Sequence, residues 1–179
     1  MKKMGKVDSK EVGLEIGLLL TRFFFNSEDL HFGYWPDGTP TDMSTISKAQ
    51  TNHSNLIFSH IPDGVKNILD VGSGSGELAK KLIDKGYSVD CVSPSSFLSD
   101  TIQSKLPPQS TLYRTTLEDL ETDHRYDLII FSESFQYVNI QSGLSKCAHL
   151  LKHHGHLLIF DFFSIETNSK SPLRGGHKI

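Results

Sequence analysis

The tightest constraint on this chain lies in residues 67–78, Asn-Ile-Leu-Asp-Val-Gly-Ser-Gly-Ser-Gly-Glu-Leu. An apolar run suited to a buried strand ends in glycines at every second position, and a helix-forming run follows at once. Glycine carries no Cβ, so a ligand can approach bare backbone there, and the first turn of the next helix offers it free N–H groups. The spacing is not that of a dinucleotide site. Counting from Gly72, the third glycine of such a fingerprint would fall on Glu77, a bulky acid where helix and pyrophosphate must come close. No Gly-Lys-Ser/Thr follows either, which excludes a P-loop. Asp70 precedes the glycines, and an acid at the end of a buried strand needs a donor, either a ligand ammonium or ordered backbone N–H groups, to offset its desolvation.

From residue 65 onward, strand-like and helix-like runs alternate, which predicts a parallel sheet covered on both faces, an α/β doubly wound fold. The expected strands are Val65–Val71, Ser88–Val92, Thr111–Thr115, Tyr126–Phe131 and His156–Phe162. The expected helices are Glu77–Lys85, Phe97–Lys105, stopped by Pro107 and Pro108, and Ile140–Lys152, followed by Gly155. Ahead of them, Val12, Ile16, Leu19 and Phe23 recur at helical spacing, so residues 9–25 read as an amphipathic helix that turns its apolar stripe to the core rather than to a membrane or partner. Residues 31–43, with two prolines and three aromatics, read as an ordered loop, and residues 44–60 as a second helix. The organisation is a helical cap at 1–60, a ligand-binding domain at 61–163 and a polar tail at 164–179.

Composition narrows the function classes. Lys and Arg number 18 against 21 Asp and Glu, for a net charge of −3 over 179 residues, and no basic block offers an electrostatic reason to bind nucleic acid or an anionic membrane. A small-molecule partner is expected instead. Cys91 and Cys147 are too few for a disulfide scaffold and read as free packing thiols in a reducing compartment. Residues 12–25 contain Glu15 and Arg22 and fall short of the ~20 residues that cross a bilayer, and Asp8, Glu11 and Glu15 interrupt any signal-peptide core; a cytoplasmic location is expected.

The Asp-x-Gly-x-Gly-x-Gly pattern at 70–76 resembles motif I of class I S-adenosylmethionine-dependent methyltransferases, whose fold is Rossmann-like, and the resemblance extends over residues 30–163. It implies S-adenosylmethionine as cofactor, with the methionine end held by Asp70 and by the backbone of Gly72, Ser73, Gly74 and Gly76. The family's second strand usually ends in an acid that grips both ribose hydroxyls, and here that position is Ser93. A single hydroxyl offers a neutral bond of ~1 kcal/mol where a carboxylate offers two at ~1.5–3 each, which predicts weaker cofactor binding. Asp90 is the one-register alternative for that contact. Thr116 and Leu117 fall where the family meets the adenine, or else simply open a loop and helix. The segment Leu30-His31-Phe32-Gly33-Tyr34-Trp35 is similar to an HxGYW-like segment that covers the cofactor in small-molecule methyltransferases. Tyr34 and Trp35 could face the sulfonium or pin the amino-terminal helix.

Polar residues at the carboxyl end of the fourth strand, Ser132, Glu133 and Gln136, would face the methyl-transfer cleft, with Tyr137 lining it. Glu133 and His31 are the candidate general bases, needed where the acceptor arrives protonated. No metal site is expected. His149 and His153 share a predicted helix face with His154 and His156 nearby, but no acid completes a ligand set. The family usually continues with two further strands, so the fifth is expected to present an unpaired apolar edge. A shortened chain explains this in preference to completion by a partner or cover by the tail, and self-association through that edge follows as an expectation. The implied activity is methyl transfer to an unidentified small molecule; the alternative is a cofactor-binding module without catalysis.

Overall fold

A computed structural model describes residues 8–164 and 177–178 of the chain. Five parallel strands form the sheet: β1 (Asn67–Val71), β2 (Ser88–Val92), β3 (Leu112–Tyr113), β4 (Tyr126–Ser132) and β5 (Leu151–Phe160), in the order β3-β2-β1-β4-β5. β1 and β2 run in register from Asn67↔Ser88 to Val71↔Val92. The order reverses between β2 and β4 around β1, which opens a crevice at the carboxyl end of β1, where the glycines lie.

Alternation along the central strands divides the core in two. Leu69, Val71, Ile129 and Phe131 face one side with Cys147 and Leu150 of α5 (Ile140–Leu150). Ile68, Leu128 and Ile130 face the other with Leu78, Ala79 and Leu82 of α3 (Glu77–Asp84) and Ile102 of α4 (Ser96–Gln103). Ile57 of α2 (Ile46–Ser59), which a short 3-10 turn at Met43–Thr45 precedes, joins the same side. This is the doubly wound, Rossmann-like arrangement expected, with near-continuous apolar strands buried on both faces. Cys91 and Cys147 are buried and free, and burial raises both thiols, Cys147 to about 11.

Several expectations need correction. Helix α1 (Ser9–Phe25) has the expected bounds, capped by the Asp8 side chain on Lys10 N–H and ended by Asn26 in the left-handed region. Its stripe does not enter the core. Leu18 alone is buried, whereas Val12, Ile16, Leu19 and Phe23 are exposed, Phe23 by 82%. The helix is held at one edge instead, where Glu11 accepts hydrogen bonds from Ser95 Oγ, Ser96 Oγ and Phe97 N at the start of α4. β3 is two residues rather than five, pairing only Cys91↔Leu112 and Val92↔Tyr113. α5 stops at Leu150 and β5 begins at Leu151, because Leu151 pairs with Tyr126 and His156 with Leu128, which bulges the residues between them and puts His154 at φ 65°. The helix face supposed to unite His149 with His153 therefore does not exist. Beyond residue 163, where no strand was expected, Phe163–Ser164 (β6) and His177–Lys178 (β7) form a two-residue parallel pair. Among the described residues β5 pairs with β4 only; most of the tail and residues 1–7 lie outside them. No helix among the described residues is long and apolar enough to cross a membrane.

Candidate functional site

The turn between β1 and α3 is built from its glycines. Gly72, Gly74 and Gly76 have φ of 72°, 55° and 84°, the left-handed region that other residues enter at a cost. The structure separates their duties. A Cβ at Gly72 would stand 2.5 Å from Ser134 Cβ, and one at Gly76 would stand 3.2 Å from Ile102 Cα, so these two are small because protein packs on them. A Cβ at Gly74 would meet nothing nearer than Leu30 Cδ1 at 3.8 Å. Gly74 is thus the one of the three where a Cβ would make only an ordinary contact, with Leu30. Gly72 N donates to Val92 O, Gly76 N to Ser73 O and Ser73 Oγ to Asp70 O, which fix the turn between β1 and β2.

Asp70 is 1% exposed and its Oδ2 has no hydrogen-bond partner among the described residues. Burial pushes its carboxyl up to about 7, and the Ser73 hydroxyl offsets only part of that. A buried carboxylate oxygen without a donor costs at least about 1–3 kcal/mol. That is the situation a ligand ammonium would relieve.

Segment 28–35 lies over this turn. Glu28 O accepts from Ser75 Oγ at 2.5 Å, and Lys105 Nζ reaches Ser75 O at 2.8 Å, Glu28 at 2.5 Å and Glu77 at 2.6 Å. Tyr34 and Trp35 are fastened to the cap: Tyr34 N donates to Ala49 O, Asn52 Nδ2 to Tyr34 O and Trp35 Nε1 to Thr45 Oγ1. Their hydrogen bonds go to α2 and the turn before it rather than to α1, while Leu30 stands nearest to Gly74.

At the end of β2, Ser93 is buried, its N–H on Tyr113 O and its carbonyl accepting from Ser99 Oγ. Asp90 is spent elsewhere. Its Oδ1 accepts from Thr111 N at 2.7 Å and its Oδ2 from Tyr126 OH at 2.9 Å, two residues below the strand's end. Both oxygens of the one-register alternative are therefore already bonded within the sheet. Leu117 is a core residue packed with Val138 and Phe135, and Thr116 Oγ1 bonds Asp119 Oδ2 in a turn that no helix follows.

At the end of β4, Ser132 is half-buried and Glu133 takes φ 55°, outside the range most side chains prefer. Ser134 Oγ donates to Val71 O, which locks this loop against the glycine turn. The structure brings the two candidate bases together and adds a third residue. Glu133 Oε2 accepts from Phe32 N at 3.1 Å, and Oε1 stands 3.5 Å from His53 Nε2. The His53 ring stacks on His31 with centroids 3.8 Å apart at 15°. His31 Nε2 lies 3.3 Å from Asp29 Oδ1, whose other oxygen holds Lys81 Nζ at 2.7 Å. Neither imidazole contact has a hydrogen bond's alignment, and among the described residues none of the four ring nitrogens has a hydrogen-bond partner.

Burial raises Glu133, and burial with the neighbouring His31 and Lys81 pushes His53 down to about 3, so His53 is neutral. Burial works to raise Asp29 as well, but His31 and Lys81 outweigh it and hold it low. Gln136 N donates to Asp161 Oδ2, while Tyr137 is 82% exposed and reaches into solvent. Sequence reasoning missed His53. Its one signal is position: Ala49, Gln50, His53, Ser54 and Ile57 form the buried stripe of α2 at helical spacing, so the histidine had to be buried.

Comparison with known proteins gives a consistent picture. Residues 68–155 match the family model of a methyltransferase domain. A Geobacillus sp. (strain WCH70) protein provisionally described as a methyltransferase is 34% identical over 141 residues, 74% of this chain and 56% of that protein. A solved structure from Galdieria sulphuraria, provisionally described as a sarcosine dimethylglycine methyltransferase, superposes with a TM-score of 0.66 at 24% identity, covering 82% of this chain and 59% of that one. The glycopeptide N-methyltransferase MtfA complexed with S-adenosylmethionine gives 0.55 at 16% identity, covering 61% and 53%. These structural likenesses concern the fold. The chain spans about 40 to 60% of the length of the curated relatives it matches.

Proposed function

We propose, on the premise that residues 68–155 form a methyltransferase domain, that this chain binds S-adenosylmethionine at the glycine turn and transfers its methyl group to a small-molecule acceptor. The observation that carries the reading is the pairing of a left-handed glycine turn, over which only the Leu30 side chain stands at Gly74, with the unpartnered buried Oδ2 of Asp70. A compact zwitterionic amino acid fits both. Its ammonium supplies the donor Asp70 lacks, and its carboxylate meets N–H groups at the start of α3.

When bound, the cofactor supplies a methyl group already activated on a positively charged sulfur, so the chain's own task is orientation and exclusion of water. Segment 28–35 does the covering, with Leu30 over Gly74. Ser93 is the position assigned to the ribose and Thr116 to the adenine, with Leu117 beside it contributing main chain only, since its side chain is in the core. Ser132 and Ser73 complete the polar rim, and Tyr34 and Trp35 stand in the covering segment. The acceptor's nucleophilic atom attacks the methyl carbon in line, the carbon–sulfur bond breaks, and S-adenosylhomocysteine leaves. A proton on the acceptor passes to Glu133, whose burial raises its basicity; His31, stacked beside it through His53, is the second proton acceptor.

Calorimetric titration with S-adenosylmethionine and S-adenosylhomocysteine tests the first half. One equivalent of either should bind, and a flat titration with both would end the proposal. A screen of amine, hydroxyl and carboxyl acceptors for S-adenosylhomocysteine release tests the second.

A further inference from the structure

Among the described residues, His31, His53 and Glu133 are the group whose ligand atoms converge, all lying within 4.8 Å of one another. His53 is fully buried, and the His31 and Glu133 side chains keep 9% and 10% of their surface exposed, so the group opens on the His31 and Glu133 side only. Two imidazoles with four unpartnered nitrogens beside a carboxylate make an unusual interior. Hydrophobic packing would not retain them, and among the described residues no hydrogen-bond donor or acceptor completes them. The geometry points to a binding site for one divalent transition-metal ion of the zinc type, held by His31, His53 and Glu133.

Two nitrogens and one carboxylate oxygen, with coordination positions left open, are a donor set that such ions take in catalytic sites. The surroundings orient the ligands in the manner metal sites require. Asp29 Oδ1 stands 3.3 Å from His31 Nε2, a carboxylate beside one ring nitrogen that leaves the other for the ion. Asp29 is itself fixed by Lys81. The backbone that carries His31 is fixed by Gln50 Nε2, which donates to Asp29 O and His31 O. Phe32 N holds Glu133 Oε2 and leaves Oε1 toward His53 Nε2.

Metal–ligand bonds of ~2.0–2.2 Å place ligand atoms roughly 3.3 Å apart, so uptake draws the group together by about 1–1.5 Å and tilts one imidazole out of the stack. Three carboxyl groups, Glu133, Asp29 and Asp161, stand around the pair of imidazoles, with the Lys81 ammonium on Asp29. Placed at the carboxyl end of β4, the ion would lower the pKa of an acceptor hydroxyl bound to it, which would lose its proton to water before attack, so that with the ion bound Glu133 and His31 act as ligands and no longer as proton acceptors. Ion binding itself does not depend on the methyl-transfer reading; only this use of it does.

The test is titration of the chelator-treated chain with Zn(II) alone, and with Co(II) followed by its visible absorption. One equivalent should bind to the parent, with the intense bands of a low-coordinate nitrogen and oxygen site. Glu133→Gln, which preserves an acceptor for Phe32 N–H, and His53→Asn should each weaken binding at least tenfold. The triple substitution His153→Ala, His154→Ala, His156→Ala, which removes the exposed histidines of β5, should leave it unchanged. Circular dichroism identifies any variant that has failed to fold; should His53→Asn do so, Glu133→Gln decides. No Zn(II) uptake by the parent, or uptake lost only with the β5 histidines, would overturn the site. Repeating the cofactor titration in EDTA keeps the two readings separate, since a missing metal leaves that affinity in place and a missing cofactor site leaves the Zn(II) isotherm.

Discussion

The two halves of the candidate site solve the problem of holding a ligand in opposite ways. At the glycine turn the ligand-facing surface is main chain, and its shape is fixed by hydrogen bonds that the fold itself completes, from Gly72 N to Val92 O and from Gly76 N to Ser73 O. At the His31–His53–Glu133 group the surface is side chain, brought from three segments and left with its nitrogens unpaired. The first half is stabilised by what makes it functional. The second is tolerated at a cost to stability, as groups poised for chemistry commonly are. Substitutions should therefore carry opposite signs in the two places.

The largest effect is expected from Gly72→Val. Its Cβ would stand 2.5 Å from Ser134 Cβ at a φ a branched residue resists, so the fold should lose more than about 3 kcal/mol in urea unfolding. Gly74→Val, two residues on, sharpens the contrast. With only Leu30 at 3.8 Å, it should cost about 1–2 kcal/mol of stability yet weaken S-adenosylmethionine binding by about 100-fold or more, roughly 2.7 kcal/mol. Equal affinity in parent and Gly74→Val would remove the turn from the site.

The Asp70 carboxyl, raised to about 7, gives a pH signature. A raised carboxyl favours the fold only while protonated, so its contribution is whole below the unfolded value of about 4 and is lost as pH rises through 7. Pairing with an ammonium needs the ionised form, so cofactor affinity should fall about tenfold per unit from pH 7 to 5. Asp70→Asn should flatten that profile in calorimetry.

His53→Phe probes the other half. With chelator present it should leave thermal stability unchanged or raise it by up to about 1–2 kcal/mol, because it removes two unpaired nitrogens, while suppressing turnover. A large loss of stability would show the histidine to be structural. The smallest effect is expected from Ser93→Asp, which should tighten cofactor binding about tenfold if Ser93 faces the ribose; with the Asp90 carboxylate already bonded to Thr111 and Tyr126, no competing acid stands in that register.

How much of this was legible follows from the same contrast. β2 at 88–92, the order of elements and the glycine turn could all be read from residues close in sequence, because strand alternation and glycine conformations are local properties. The burial of α1 could not. Val12, Ile16, Leu19 and Phe23 have the period of a core-facing helix, but which surface receives a stripe is decided by tertiary neighbours. The end of α5 was misjudged because Lys152 and His153 are acceptable in a helix, and the pairing of Leu151 with a strand 25 positions earlier decided otherwise. His31 and Glu133 were picked separately from their segments. Their meeting, and the part of His53, depended on α2 crossing between them, which no local pattern encodes.

Lys105 joins three stretches that are distant along the chain, namely the leader at Glu28, the turn at Ser75 and the first residue of α3 at Glu77. One ammonium thus stands between two carboxylates, and replacing it with a neutral side chain of similar length, Lys105→Met, would leave Glu28 and Glu77 to repel each other across the same few ångströms.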